Sequence, residues 1–419
     1  MARDRDHCVL HLALPALQSF VAGLAGRVGH RACLGRIERG VRSGAATRGG
    51  RAGGRSGLAC PGPVRRRSWV SMIRQLIRSY RWLPALALLL GLAATFDWPI
   101  QAVMSVTVKT APALEPTLAR MAELPRMRSM LVSVGGTLVA EQYYNGASAT
   151  RAANIKSASK SVISALVGIA LDRGDIESLD TSVGEYFPEY LDDPDKAAIT
   201  VEDLLTMRAG LETTSNRNYG RWVQSGNWVR HALTRPLVAR PGTRMIYSTG
   251  STHLLSAIIT RASGVSTHTF ARRYLGEPLG ISVPRWTTDP QGIYFGGNEM
   301  SLTPRAMLEI GELYLNCGRV GVDQVISEEY VHQSVEAHAF RMRTPDRAYG
   351  YGWWVREFSG YDAFYAWGYG GQFIYVVPQL RLVTVMTSSP NPGSGLRDHR
   401  RSLYRLMERE IVPAVAQGV

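Results

Sequence analysis

Hydrophobic and polar positions divide the 419-residue chain into three regimes. Residues 1–71 show little periodicity, and from residue 21 on they are mostly Gly, Arg, Ser and Ala, a composition expected to stay disordered. Residues 72–104 open with a basic head, "MIRQLIRSYRW", and pass into an apolar tract, "LPALALLLGLAAT" (83–95), closed off by Asp97. From about residue 105 to 419 the pattern is that of a folded body. "MLVSVGGTLVAEQYY" (130–144) predicts two short strands joined at Gly135-Gly136. Next, Val162, Ile163, Leu166, Val167 and Ala170 recur at helical spacing, predicting a helix from about Ser157 to Asp172 that Gly174 stops. Residues 175–345 read as helices and loops, among them "VEDLLTMRAG" and "STHLLSAIITRASG". Strands return in "YGWWVREF", "DAFYAW", "QFIYVVP" and "LRLVTVMTS", and "HRRSLYRLMEREIV" closes the chain as a helix. Strands at both ends with helices between predict an α+β fold, with one antiparallel sheet built from the two chain ends and a mostly helical insertion.

Charge changes this picture only at the N-terminus. The formal net charge is +14, but residues 1–71 hold thirteen arginines against Asp4, Asp6 and Glu38. Arg74, Arg78 and Arg81 follow, which leaves the body close to neutral and argues against a nucleic-acid-binding body. The apolar tract at 83–95 has the length of a signal-peptide core and is shorter than the roughly 20 residues a spanning helix needs. Basic residues ahead of it would keep the N-terminus cytoplasmic. The expectation is a signal peptide or N-terminal anchor over 72–104, a periplasmic or membrane-facing body, and membrane contact only through this leader. A translation start at Met72, with 1–71 as upstream sequence, fits the same pattern. Of four cysteines only Cys317 lies in the body, so no disulfide is expected within it.

Chemistry concentrates in "NIKSASKSV" (154–162). The chain has only four lysines, and one of them, Lys160, follows Ser157 by three residues. At the start of a helix, free N–H groups and the dipole favour developing negative charge. Residues three apart share a face, and burial can bring a lysine amine to neutrality near pH 7, able to take a serine proton. The same residues also suit a simple helix cap with a solvated lysine.

Two further segments bear on the choice. "PGTRMIYSTGSTHLLSAIITRASG" (241–264) sets Tyr247 between a Pro-Gly turn and an apolar helix. "WGYGGQFIYVVP" (367–378) sets glycines at the mouth of a strand, where backbone can approach a ligand. Together with "IKSASKSVISALVGIALDRG" and "EDLLTMRAGL", in this order, they make residues 120–410 resemble the serine β-lactamase and penicillin-binding-protein superfamily. The likeness is to its class C-like branch of esterases, D-stereospecific peptidases and 6-aminohexanoate-dimer hydrolases. The resemblance implies the fold of that superfamily, Ser157 as acylated nucleophile, Lys160 as its general base and Tyr247 as a proton relay. It also implies an oxyanion hole from the backbone N–H groups of Ser157 and Gln372, with Tyr369, Gly370 and Gly371 at the sheet edge. Thr249 replaces the asparagine of the family's Y-x-N, and Tyr369 and Gly370 replace the lysine and threonine of its K-T-G. Those departures weaken the case for β-lactam hydrolysis or D-Ala-D-Ala carboxypeptidase activity.

The reading is therefore a serine hydrolase acting on a small-molecule ester or amide, with no metal or organic cofactor implied. Tyr219, Trp222, Trp353, Trp354 and Trp367 are candidates to line its pocket. The alternatives are a β-lactamase or penicillin-binding activity, and a non-catalytic cell-envelope binding protein. No G-x-S-x-G elbow occurs. His253 lies on an apolar helix face and reads as a hydrogen-bonded core residue. His332 and His338, six apart, would not share a helix face, which argues against a zinc site.

Overall fold

A computed structural model describes residues 110–341 and 344–418. The expected disordered leader (1–71), the whole of the expected signal or anchor segment (72–104) and its continuation to 109 lie outside the described residues. Among the described residues, no helix is long and apolar enough to cross a membrane.

The elements that position the site are, in chain order, helix α1 (Glu115–Ala122), strands β1 (Met127–Val134) and β2 (Thr137–Tyr143), and helices α2 (Ser159–Asp172), α3 (Thr249–Ser263), α4 (Pro304–Leu315) and α5 (Glu328–Val335). Strands β3 (Ala339–Arg341), β4 (Thr344–Tyr349), β5 (Trp354–Phe358), β6 (Tyr361–Gly368), β7 (Gln372–Val377) and β8 (Leu382–Ser388) follow, and helix α6 (Leu396–Leu406) comes last. The strands form one antiparallel sheet of order β2-β1-β8-β7-β6-β5-β4-β3. The sheet therefore joins the two ends of the described chain, as the strand pattern predicts, with β1 hydrogen-bonded to β8 from Met127↔Ser388 to Val134↔Leu382.

Period-two alternation decides which core each side chain enters. Leu131, Ile374, Val376, Val383 and Val385 face one core, shared with α2, α3 and α4. Met130, Val132, Phe373, Tyr375 and Met386 face the other, shared with α1 and α6. Because both faces are covered, β7 and β8 are buried at every position, which is why they read as nearly continuous apolar runs rather than as alternating ones. Each buried Val, Leu or Phe contributes about 1.5–3 kcal/mol relative to exposure.

The predicted α2 is observed with two refinements. Val162, Ile163, Leu166, Val167 and Ala170 are all buried, and Gly174, at φ +73°, ends the helix. The α-helix proper begins at Ser159, however, and a single 3₁₀ turn, Lys156–Ala158, precedes it. Ser157 therefore stands just ahead of the helix rather than in its first turn. The same arrangement of a polar lead and an apolar body recurs in α3, which Ser248 opens in extended backbone and Gly264 closes in the left-handed region.

Candidate active site

The turn carrying Ser157 lies against the ends of β6 and β7. This approach needs Gly368: a Cβ there would meet the Ile155 carbonyl oxygen at 2.1 Å. No side chain fits between the sheet and the turn, so the Ser157 backbone is fixed by direct main-chain proximity.

From the next turn Lys160 reaches into the interior and is only 1% exposed. Its Nζ donates to the Gly297 carbonyl at 2.7 Å and lies 3.4 Å from both Ser157 Oγ and Thr249 Oγ1. Among the described residues no carboxylate reaches it. Burial with only neutral acceptors penalises the ammonium and pushes its pKa down to about 7. Gly297 has to be a glycine or something must move, because a Cβ there would sit 2.9 Å from Lys160 Nζ and 2.4 Å from Thr252 Oγ1.

Tyr247 arrives from the segment leading into α3. Its carbonyl accepts from Thr213 Oγ1 at 2.7 Å, tying it to the 213–215 loop. Its ring centroid is 5.2 Å from Lys160 Nζ and stacks on Trp354 at 5.9 Å with planes 20° apart. Thr249, one helical position inside α3, bonds through both its amide and its hydroxyl to Ser215 Oγ, at 2.9 Å each. A chain of hydroxyls thus runs from Ser215 through Thr249 to the lysine.

Gln372 opens β7 opposite Gly368, which sets its main chain at the sheet end beside the Ser157 turn. Its side chain is fully buried and locked to β8: Nε2 donates to the Ser388 carbonyl at 2.8 Å, and Oε1 accepts from the Ser388 amide at 3.1 Å. Behind it His399 Nε2 lies 2.8 Å from Ser388 Oγ. Burial, and secondarily the Arg126 charge, push the His399 pKa down to about 4.

A cleft of about 840 Å³ opens over Ser157. Among the residues expected from sequence, Ser157, Tyr219, Tyr247, Thr249, Trp354, Trp367 and Tyr369 line it. Two pocket candidates are corrected. Trp222 is fully buried, its Nε1 donating to the Trp228 carbonyl within an aromatic cluster, and Trp353 is likewise a core residue packed on Tyr314. In both cases burial of a large ring in the helical core wins over exposure to the cleft. Gly370 and Gly371 shape the turn instead of walling the cleft: a Cβ on Gly370 would point at Ser389 and Pro390, and one on Gly371 at Leu403, Ser388 and His399.

Sequence reasoning missed five contributors: Gly297, Ser215, Lys156, Glu299 and Arg400. Gly297 could have been flagged from the paired glycines of "YFGGNEM", a sign of close backbone approach. Ser215 lies in an unpatterned loop. Lys156 and Glu299 form an ion pair of 2.9 Å at the cleft edge, with Asn154 Nδ2 donating to the same carboxylate at 2.7 Å. Both residues of that pair hold left-handed backbone, φ +51° and +62°. Arg400 enters the cleft from α6 with its guanidinium 5.3 Å from the Trp367 ring centroid. These meetings depend on tertiary structure and leave no local pattern. Metal-ligating side chains converge, among the described residues, at Cys317, Glu328 and His332, none of which lines the cleft.

A family model described as Beta-lactamase matches residues 121–407. Among solved structures, a protein named provisionally as a 6-aminohexanoate-dimer hydrolase from Bacillus anthracis is 20% identical with a TM-score of 0.60, covering 71% of this chain and 82% of that one. One named provisionally as a beta-lactamase from Bacteroides dorei is 18% identical with a TM-score of 0.62, over 73% and 98% of the two chains. A family VIII carboxylesterase is 17% identical with a TM-score of 0.56, over 71% and 98%.

Proposed function

The chain belongs to the beta-lactamase family and is a serine hydrolase, and from that premise we propose that it cleaves a small ester or amide through an acyl-enzyme on Ser157. The observation that carries this reading is the Lys160 amine, buried and 3.4 Å from Ser157 Oγ, with a pKa near 7. Such an amine is half neutral at physiological pH and ready to take the hydroxyl proton, whereas a capping serine beside a solvated lysine would have no use for its burial.

Ser157 Oγ attacks the carbonyl carbon as its proton passes to Lys160 Nζ. The backbone N–H groups of Ser157 and Gln372 hold the resulting oxyanion. The tetrahedral species collapses, the leaving group takes a proton relayed through Tyr247, and an acyl ester remains on Ser157. Water, deprotonated by the same groups, then releases the acid and restores the serine. The aromatic edges supplied by Trp354, Trp367 and Tyr369 favour an apolar or extended acyl chain, and linear 6-aminohexanoate amides are a substrate class to try. Export across the membrane behind the 72–104 leader is proposed on the sequence pattern alone.

One observation favours a second reading. Arg400 brings a positive charge into the cleft, where it suits a substrate carboxylate, as a penicillin or cephalosporin carries. The test is labelling by a fluorophosphonate read by intact mass, then turnover of p-nitrophenyl esters, nitrocefin and aminohexanoate amides. Single labelling lost in Ser157→Ala, with ester turnover, is the expected result. Nitrocefin turnover exceeding that of the esters would favour the second reading, and equal labelling of Ser157→Ala would end both.

A further inference from the structure

Away from the cleft, helix α4 ends in a tight turn that presents a thiol. Cys317 is a non-glycine residue at φ +51°, a left-handed backbone conformation that needs support from its surroundings. The support is visible. Gln324 Nε2 donates to the Cys317 carbonyl at 2.8 Å, Gly318 N donates to the Leu313 carbonyl at 2.8 Å, and Val325 N donates to the Gly318 carbonyl at 2.9 Å. The turn aims the thiol at α5, where Glu328 and His332 stand one helical turn apart. Cys317 Sγ lies 3.6 Å from His332 Nε2, which is 4.0 Å from Glu328 Oε1, and the three ligand atoms are all within 4.8 Å of one another.

Those separations fit a shared ion. A tetrahedral centre with a metal–sulfur distance of about 2.3 Å and a metal–nitrogen distance of about 2.0–2.1 Å sets sulfur and nitrogen about 3.6 Å apart. The carboxylate has to close from 4.0 Å to about 3.4 Å of the imidazole nitrogen, and the Glu328 side chain is more than half exposed and free to make that move. The donor set decides the metal: a thiolate with an imidazole suits zinc and its neighbours, whereas calcium and magnesium take oxygen ligands.

We propose that Cys317, Glu328 and His332 form a three-ligand surface site for a zinc-like divalent ion, with water completing the tetrahedron. Binding releases the thiol proton to solvent and forms one bond each from sulfur, nitrogen and oxygen to the metal. The separation of His332 and His338 is thus beside the point, because the partners of His332 come from its own helix and from the preceding turn.

The ion would brace the element behind the catalytic helix. Tyr330 on α5 donates to the Ser164 carbonyl of α2 at 2.8 Å, and the amide of Ser327 donates to Asp172 at 2.6 Å. Fixing α5 to the end of α4 therefore stiffens the support of α2 without entering the cleft.

The experiment adds Co²⁺ to the full-length protein and follows its absorption. Expected are a thiolate-to-cobalt charge-transfer band in the near ultraviolet and visible bands of a four-coordinate ion, both displaced by Zn²⁺. Cys317→Ser and His332→Gln should each weaken binding at least about tenfold. Zinc should raise the melting temperature of the parent protein and not of His332→Gln. Cys317→Ser keeps Cys8, Cys33 and Cys60, so a charge-transfer band that survives in it belongs to the leader and overturns the assignment. Binding by His332→Gln as tight as by the parent overturns it as well. Because the His332 side chain is exposed, His332→Gln serves if Cys317→Ser does not fold. A cobalt spectrum without any thermal response to zinc would refute the bracing role.

Discussion

Two buried polar groups lie on either side of one short segment, Phe295–Gly297, and differ in what surrounds them. Lys160 Nζ meets a carbonyl and two hydroxyls. His253, also fully buried, has Asp289 Oδ2 3.1 Å from its Nε2 and the Gly296 amide 3.5 Å from its Nδ1. Asp289 is itself saturated, accepting at Oδ1 from the amides of Gln291 and Ile293 at 2.9 Å each. Trp222, Trp228 and Phe295 box the imidazole in. The histidine is completed on all sides and does structural work. The lysine is left with neutral partners only, and its proton affinity falls accordingly. Burial alone does not make a functional group; incomplete compensation of that burial does. The two are also linked, since the histidine's box holds Phe295 and Gly296, and the next residue gives Lys160 its carbonyl.

Removing each group should break the comparison in opposite directions. Lys160→Met is expected to lower kcat/KM by about 10³-fold or more, while raising stability by about 1–2 kcal/mol, because an uncompensated amine leaves the core. Asp289→Ala should do the reverse first: stability falls by about 3–5 kcal/mol as a buried, multiply bonded partner is lost, and activity falls only as far as Gly297 shifts. Denaturant unfolding alongside ester turnover on both variants checks the pair. A Lys160→Met variant destabilised as strongly as Asp289→Ala would mean that the lysine is structural too.

The pH profile sharpens the same contrast. The base must be neutral, so kcat/KM should rise through a pKa of about 7 and be lost below it. Stability responds over a different window. The folded pKa of Lys160 is depressed below its unfolded value of about 10.5, so the unfolded chain binds the extra proton between pH 7 and 10.5, and stability rises with pH across that window. Lys160→Met should flatten this rise, as read from urea midpoints at pH 7, 8.5 and 10.

Next in size is Gly297→Ala. Its Cβ would fall 2.9 Å from Lys160 Nζ and 2.4 Å from Thr252 Oγ1, so either the amine or the 295–297 segment must move. The expected cost is about 10- to 100-fold in kcat with little change in KM, since misplacing a base acts on the transition state more than on binding. An unchanged kcat would show that the Gly297 carbonyl has no part in holding the amine.

The legible and illegible parts of the molecule separate along the same lines. Helices α2 and α3 declare themselves by apolar residues at helical spacing, and strands β1, β2, β5 and β6 by short β-rich apolar segments, while β7 and β8 show as nearly continuous apolar runs because both faces are buried. The residues alone leave Ser157 and Lys160 open between a nucleophile pair and a helix cap, and only four family-like motifs in order single them out together with Tyr247, three side chains that the structure brings close to one another. Trp222 and Trp353 misled because aromatic residues mark a core as readily as a cleft. Gly297, Ser215 and the Lys156–Glu299 pair were silent, since a main-chain carbonyl, a loop hydroxyl and an ion pair 143 residues apart in sequence have no local signature.

The smallest effect tests the support behind the proposed oxyanion donor. His399 Nε2 touches Ser388 Oγ, and the main chain of Ser388 clamps the Gln372 amide group. Above about pH 5 the imidazole is neutral, because burial and Arg126 hold its pKa near 4, so its part in that support is geometric. His399→Gln should then reduce kcat by only about two- to fivefold, by loosening the Gln372 backbone, with no displacement of the pH–rate profile set by Lys160. It should also remove some of the acid-side loss of stability. With a folded pKa of about 4 against an ordinary value of 6.5, the histidine contributes stability that is complete above pH 6.5 and fades as pH falls toward 4. Urea midpoints at pH 4.5 and 7, compared between the two proteins, measure that difference. A shifted pH–rate profile in His399→Gln would instead place the imidazole in the proton circuit, and the division between a compensated support and an uncompensated base would fail at this point.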